Sequence, residues 1–298
     1  MQITAKDFNL RHTIESGQPL TFFGNYSFSN NETFLSYPVE HGRINVFGEQ
    51  KGKDCILSVE SENYSRVELK KEVEERFGLK DNIKYIYKNI ATDKFMEEAI
   101  KHFYGMRVTK NSIWETTLSF IVSQFNNIKR IRRIMLCLVE RFGKGSFPGP
   151  DAIAGKEIAV CGAGFRSKYI LEIAKLYDKE LFDSYALLPY EEAKRELMHY
   201  KGIGDKVADC ILLMGYKKLE AFPIDTWVKK VLAIEYGLHG KSIKKMHEFA
   251  KNRWNGFAGY AQQYIFWHGR SYLDKGWLHK RSEEFNTRSK PKDKKERI

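Results

Sequence analysis

Tyr200-Lys201-Gly202-Ile203-Gly204-Asp205-Lys206-Val207-Ala208-Asp209-Cys210 follows a helix-like run from Tyr190 to His199 and reads as helix, glycine hairpin, helix. Gly202 and Gly204 allow a tight turn and close backbone approach, and the amides opening the next helix point outward at the positive end of its dipole. That is a seat for phosphate. Lys206 lies in the first turn of the second helix, where the dipole disfavours an ammonium, so its amine is a candidate nucleophile. Downstream, Asp225 in Phe222-Pro223-Ile224-Asp225-Thr226-Trp227 stands after a proline and just before a helix expected to begin near Thr226. A capping aspartate is fixed in place, and a fixed carboxylate can stabilise positive charge or assist proton transfer.

Working outward, residues from about Gly17 to Ser61 carry turn signals (Gly24-Asn25, Asn30-Asn31, Gly52-Lys53) between β-rich runs such as Ile44-Asn45-Val46-Phe47. They predict an antiparallel sheet. Beyond Arg66 the apolar spacing turns helical and stays so to about Leu273. Ser112-Ile113-Trp114-Glu115 is a capping box that starts one helix, which ends near Asn126-Asn127. The next helix turns Ile131, Ile134, Met135, Leu138, Val139 and Phe142 inward and bears Lys129, Arg130, Arg132 and Arg133 at its start. Cations there are unfavourable by ~0.3–1 kcal/mol unless an anion offsets them, which suggests a nearby phosphate backbone; for Arg132 and Arg133 a solvated face is an equal reading. The fold class is α+β. An N-terminal β-rich subdomain with a helical end covers 1–103, a helical body with the hairpin at about 190–214 covers 104–279, and 280–298 reads as a basic, disordered tail.

Fifty Lys and Arg against 38 Asp and Glu give a net charge of +12, which favours polyanions, nucleic acid first, over acidic small substrates. Cys55, Cys137, Cys161 and Cys210 are scattered without a C-x-x-C pair, so they form neither a zinc site nor an iron-sulfur cluster and read as reduced thiols. No stretch of about 20 apolar residues is present, so no membrane partner is expected and the cytoplasm, in association with the nucleoid, is the expected address. A monomer is expected, since no heptad pattern appears.

The block from Gly202 to Cys210, with Pro223 and Asp225, resembles the helix-hairpin-helix glycosylase superfamily. Within it the chain is most similar to 8-oxoguanine DNA glycosylases, through Lys206-Val207-Ala208-Asp209-Cys210, Ser119-Phe120-Ile121 before Asn126-Asn127, Gly259-Tyr260-Ala261-Gln262 before Phe266, and Ser16-Gly17-Gln18. The resemblance implies a bifunctional glycosylase and strand-nicking lyase acting on duplex DNA through a lysine imine, with Lys206 as nucleophile and Asp225 as its carboxylate partner. It implies that Gly17 offers a carbonyl to the N7 hydrogen of the oxidised base, that Cys210 and Phe266 sandwich that base, that Gln262 binds its pairing edge, and that Pro223 lines the pocket. It further implies DNA contacts from Asn126, Asn127, Arg130, Phe165, Arg166, Gly202, Ile203, Gly204 and Val207, with Arg130 and Arg166 at the orphaned base and Phe165 as a wedge. It also implies a monovalent cation on the carbonyls of Met198, Tyr200 and Ile203; no cofactor and no catalytic metal are expected.

Two positions depart from the eukaryotic pattern. Phe125-Asn126-Asn127 replaces three consecutive asparagines, which removes an amide contact to the orphaned base, and Trp227 replaces a phosphate-binding histidine. The same mechanism on another damaged base, or a non-catalytic hairpin module that only grips DNA, are the alternatives, and the second leaves the joint presence of Lys206 and Asp225 unexplained.

Overall fold

The computed structural model describes residues 1–273. The expected tail, 280–298, lies outside the described residues. Five strands, β1 (Gln2–Ala5), β2 (Asn25–Ser29), β3 (Glu32–Val39), β4 (Gly42–Lys51) and β5 (Asp54–Glu60), form one antiparallel sheet in the order β1-β5-β4-β3-β2. Alternation of buried and exposed residues along β3 and β5 sends Leu35, Tyr37, Leu57 and Val59 into the core. The sheet differs from the sequence expectation at both ends. Its first strand, Gln2–Ala5, is too short for a periodic signal and is recruited only by pairing with β5, Ile3 opposite Leu57. Residues 17–23, expected in the sheet region, instead form a bend at Gly17 and Gln18 and the second of two short helices, α1 (Leu10–Glu15) and α2 (Pro19–Phe23), because Pro19 opens a helix more readily than it extends a strand.

Thirteen further helices follow among the described residues: α3 (Arg66–Arg76), α4 (Ile83–Ile90), α5 (Lys94–His102), α6 (Ile113–Ser123), α7 (Ile128–Phe142), α8 (Pro150–Ile153), α9 (Arg166–Leu176), α10 (Lys179–Ser184), α11 (Tyr190–Met198), α12 (Asp205–Met214), α13 (Thr226–Glu235), α14 (Ile243–Arg253) and α15 (Ala258–Leu273). The capping box at Ser112 forms as expected, with Ser112 Oγ accepting from the Glu115 amide and the Glu115 carboxylate accepting from the Ser112 amide. Glu115 does more than cap. Its carboxylate also holds the buried Arg76 guanidinium at 2.6 Å, tying α6 to α3 at the end of the sheet subdomain.

The sheet subdomain and helical body are joined by buried polar contacts. Tyr87 of α4 and Tyr264 of α15 share a 2.8 Å hydroxyl contact, and Tyr264 also donates to the Met106 carbonyl. Gln18 Nε2 donates to the Arg107 carbonyl at 2.7 Å while its Oε1 accepts from the Thr109 amide at 2.8 Å. Each such group left unpaired would cost about 1–3 kcal/mol, so the two parts are held in one relative position. No helix of the described residues is long and apolar enough to cross a membrane.

One expectation about the cysteines fails. Cys137 on α7 and Cys161, at the end of the short 3-10 turn Ile158–Cys161, form a disulfide, whereas Cys55 and Cys210 are buried free thiols. The two bonded residues are 24 apart in sequence, a spacing with no motif value; they meet because the 3-10 turn packs on α7, bringing their Cα atoms to 5.5 Å.

Candidate active site

The helix-turn-helix formed by α11, the Gly202 turn and α12 is built by its glycines. Gly202 has φ of +87°, and a Cβ there would lie 2.7 Å from the Tyr169 ring, so both backbone and packing require glycine. Gly204 has a different reason. It is the N-cap of α12 with extended backbone, a Cβ on it would meet no atom within 4 Å, and no side chain caps the helix. The first-turn amides of α12 are thus open to an external acceptor, on a side where a phosphate has room to approach. Val207 is buried and contributes only its amide to this end. Ile203, expected among the DNA-contacting residues, has a buried side chain and donates its amide to the Tyr200 carbonyl at 3.0 Å, so neither group faces outward.

Lys206, one residue into α12, is half-buried at the edge of a cavity of about 590 Å³ that also holds Asp225. Its Nζ donates to Ser123 Oγ at 3.4 Å and stands 5.1 Å from the centre of the Phe120 ring. Asp225 caps α13 as the sequence indicates: Oδ1 accepts from the Trp227 and Val228 amides at 3.0 and 2.8 Å, which leaves Oδ2 outside the cap. Burial pushes the Asp225 carboxyl above the usual carboxylate range, and the two amides and the charge of Lys206 pull the other way. The pair thus lines one cavity, and no ion pair joins the two among the described residues.

The rest of the cavity is lined by Gly17, Cys210, Pro223, Gln262 and Phe266. Gly17, at φ of +76°, joins α1 to α2, and a Cβ on it would come within 2.9 Å of the Phe266 ring. Its neighbours are locked: Gln263 Nε2 donates to the Ser16 carbonyl at 2.7 Å, and Gln18 is held at both ends of its amide. Cys210, one turn beyond Lys206, is a free thiol pushed up to about 12 by burial, against the pull of Lys206, and so stays neutral and apolar. Gln262 is 5% exposed, and its Oε1 is buried with no hydrogen-bond partner among the described residues. A buried acceptor left unpaired costs about 1–3 kcal/mol, which a ligand donor would return. Pro223 lies on the same wall. A second depression of about 790 Å³, over Asn9, His12, Lys84 and Tyr104, contains neither Lys206 nor Asp225.

The opening of the cavity is formed by the turn between α6 and α7 and the loop before α9. Asn127 caps α7 by accepting from the Arg130 amide at 3.0 Å, and Asn126 bonds to the Val122 carbonyl and the Asn127 amide, so both side chains are engaged within the turn. Gln124 Nε2 donates to the Gly202 carbonyl at 2.8 Å, tying this turn to the hairpin. Arg130 is exposed, with one nitrogen on the Gly162 carbonyl at 3.2 Å, and Phe165 is 48% exposed. Arg166, expected at the orphaned base, is only 2% exposed; its guanidinium donates to the carbonyls of Gln124, Phe125 and Ala163. Arg132 is half-buried: it donates to the Thr21 and Gly24 carbonyls and lies over the Tyr26 ring. The ring of Trp227, at the position of the missing histidine, carries Lys230 Nζ at 4.9 Å.

Sequence reasoning missed the support beneath Lys206. Lys194 of α11, nine-tenths buried, lies 2.9 Å from both Asp205 and Asp209, and His247 of α14 reaches Asp205 at 3.2 Å. The His247 bond, then Lys194, holds the Asp205 carboxyl far below its usual range, and burial raises that of Asp209 against the charge of Lys194. Three helices are pinned around the segment that bears Lys206. The two carboxylates at i and i+4 with a lysine eleven residues upstream gave only a weak signal of this.

Residues 1–117 match the family of 8-oxoguanine DNA glycosylase N-terminal domains. The chain is 27% identical over 319 residues to a probable N-glycosylase/DNA lyase of Methanothermobacter thermautotrophicus, covering 91% of this chain and 96% of that protein. Among solved structures it is similar to the 8-oxoguanine glycosylase/lyase of Clostridium acetobutylicum in complex with DNA containing cytosine opposite 8-oxoG, with TM-score 0.79, 27% identity and coverage of 92% and 98%. It is equally similar to MBOgg1 in complex with a low-affinity DNA ligand, with TM-score 0.79, 28% identity and coverage of 91% and 96%.

Proposed function

This chain belongs to the 8-oxoguanine glycosylases of the helix-hairpin-helix superfamily, and we propose that it excises 8-oxoguanine from duplex DNA and then nicks the strand at the resulting imine. The observation that carries the reading is that Lys206 and Asp225 share one cavity with Gly17, Cys210, Gln262 and Phe266. A base must leave the stack to enter it. Cys210 and Phe266 then hold its two faces, and the unpaired Gln262 Oε1 accepts from its pairing edge. The Gly17 carbonyl accepts the N7 hydrogen present in 8-oxoguanine; guanine has a lone pair there and meets repulsion, so one acceptor both attracts and rejects.

In the chemical step, the Lys206 amine attacks C1′ and the bond from C1′ to N9 breaks, the base leaving with the electron pair and taking up the proton that the attacking nitrogen gives up. Opening of the sugar ring gives the iminium on Nζ. Loss of a C2′ proton then expels the 3′ phosphate and cuts the strand. Asp225, fixed by its cap, stabilises positive charge developing on the sugar. The open amides of α12 receive a phosphate of the same strand, and Arg130 and Phe165 face the gap and the opposite strand. The proposed monovalent cation fits the donor chemistry of Met198, Tyr200 and Ile203: three neutral carbonyl oxygens suit a singly charged ion, and Tyr200's oxygen keeps a lone pair beyond its bond to Ile203. When bound, it would add positive charge beside the phosphate seat. Its work on genomic DNA makes nucleoid association the expected location.

The test is borohydride trapping on a labelled duplex with one 8-oxoguanine, comparing wild type, Lys206→Gln and an undamaged duplex. A lesion-dependent adduct that Lys206→Gln abolishes is expected. No adduct and no base release from the wild type would overturn the assignment.

A further inference from the structure

Arg130 stands at the lip of the cavity, the turn between α6 and α7; Arg270 is a second arginine of the site, and the reaction described above does not use it. It lies on α15 and lines the cavity together with Asp225, Trp227 and Phe266. Its side chain is half-buried, yet it makes no hydrogen bond or ion pair with any described residue. A guanidinium taken partly out of water gives up hydration, and its five N–H donors are ordinarily met by acceptors when that happens. A ligand acceptor would complete it. Asp225 does not serve: burial raises its carboxyl, its two capping amides and Lys206 pull the other way, and Arg270 adds to that pull only through its charge, without an ion pair.

The place of Arg270 on its helix shows what it can reach. Gln262, Phe266 and Arg270 stand at i, i+4 and i+8, the spacing that lays side chains one above another on a single helix face, and all three line the cavity. With Gln262 at the pairing edge of an extruded base and Phe266 on its ring, Arg270 falls one turn further on, at the end where the base joins its sugar and the sugar its phosphates. The neighbouring helix α13 offers no seat of its own there. Its first free amides are taken by Asp225, Lys229 is exposed, and Lys230 lies over the Trp227 ring at 4.9 Å. Trp227 itself stands in place of a phosphate-binding histidine, and an indole has one N–H donor and no charge. The half-buried, forked cation on this side of the cavity is Arg270.

We propose that Arg270 is a substrate-binding residue that grips a backbone phosphate flanking the extruded nucleotide, supplying from α15 the contact that Trp227 cannot make from α13. The proposal rests on the glycosylase reading for the presence of DNA at this site, and it goes beyond it in naming a second hold on the damaged strand besides the open amides of α12. A guanidinium meets a phosphate through two parallel N–H···O bonds, which fix direction as well as distance. Held at two points, the sugar between them is kept within reach of Lys206.

The experiment uses the full chain and duplexes carrying a stable abasic analogue, in which the phosphate on the 5′ or the 3′ side of the analogue is replaced in turn by an uncharged methylphosphonate. The analogue removes the lesion base from the assay, so a failed 8-oxoguanine trapping would sink the substrate assignment without deciding this test. Wild type is expected to lose about tenfold in affinity at one or both positions. Arg270→Gln should bind the all-phosphate duplex about tenfold more weakly, with a salt dependence lower by about one phosphate contact, and should be indifferent to the methylphosphonate at one position where wild type is not. Arg270→Lys, which keeps the charge without the fork, should fall between the two and stay sensitive there; it carries the comparison should the glutamine variant fail to fold. Wild-type affinity unchanged by both methylphosphonates, an Arg270→Gln variant as sensitive as wild type at each position, or a loss in that variant with the salt dependence unaltered would each overturn the proposal.

Discussion

The wall proposed to face the extruded base and the lip proposed to face the opposite strand are made in contrasting ways. On the wall, several positions are specified by their neighbours: Gly17 fits only because it lacks a Cβ, Gln18 is bonded at both ends of its amide, Gln263 is bonded to the Ser16 carbonyl, and Cys210 is kept neutral. On the lip, the backbone is clamped just as firmly, but the clamps hold up the ring of Phe125, which is 94% exposed. Chemistry on one base tolerates little change in the groups that meet it, whereas the gap left behind can be filled by any surface of suitable shape. One region is fixed by what it must reject, the other by what it must support.

The largest test of this contrast lies at the catalytic end of the wall. Asp225→Asn should lower single-turnover base release by ~10²–10⁴-fold while leaving the α13 cap in place, since asparagine caps as well as aspartate. The same variant should be more stable at neutral pH. A carboxyl whose folded pKa is raised binds its proton more tightly in the folded state, so its ionisation costs stability as pH rises through that value. The stability gain of Asp225→Asn should therefore vanish as pH is lowered through the raised pKa, which denaturation at a series of pH values would show; a constant gain would contradict it. For the wild type, base release should begin to fail on acidification at a pH above the ordinary aspartate value of about 3.9.

Next in size is the staple behind the lip. Closing a loop of this length by disulfide stabilises by ~3 kcal/mol. Cys137→Ser should lower the melting temperature accordingly and weaken duplex binding more than it slows cleavage of a single-stranded abasic site, because Cys161 leads directly into Gly162, Gly164 and Phe165. Equal losses on both substrates would mean that the bond serves stability alone.

Gly17→Ala should cost about tenfold in 8-oxoguanine release, from the strained backbone and the contact with Phe266, with a smaller loss on a duplex that already carries an abasic site. The smallest effect separates charges that look alike. Lys129→Ala should reduce the salt dependence of duplex binding by about one phosphate contact, whereas Arg132→Ala should leave that slope alone and cost ~1 kcal/mol of stability, since its guanidinium is bonded to α2.

The same contrast explains what could be read in advance. The hairpin glycines, Lys206 and Asp225 form a local pattern with a mechanism attached, and the capping box at Ser112 forms at the expected residues. The α+β division was legible because helical spacing begins where the β-rich runs stop. Features that depend on distant residues were not: the four-residue strand β1 has no period, Cys137 and Cys161 share no motif, and the Lys194, Asp209 and His247 network joins three helices. Arg166 and Ile203 stand at the positions the resemblance implies, yet the Arg166 guanidinium and the Ile203 amide are turned to the protein, because motif position fixes a Cα and not the partner of a polar group.

The bond from Gln124 to Gly202 joins the hairpin, proposed as the seat for one DNA strand, to the turn proposed to meet the other. With both ends anchored, the enzyme acts as a caliper of fixed opening, and the work of fitting falls on the duplex. A base pair that is already loosened, by mispairing or by poor stacking with its neighbours, yields to such a gauge at lower cost than a sound one. Mechanical weakness in the double helix thereby becomes a second signal, read before any atom of the damaged base has entered the pocket.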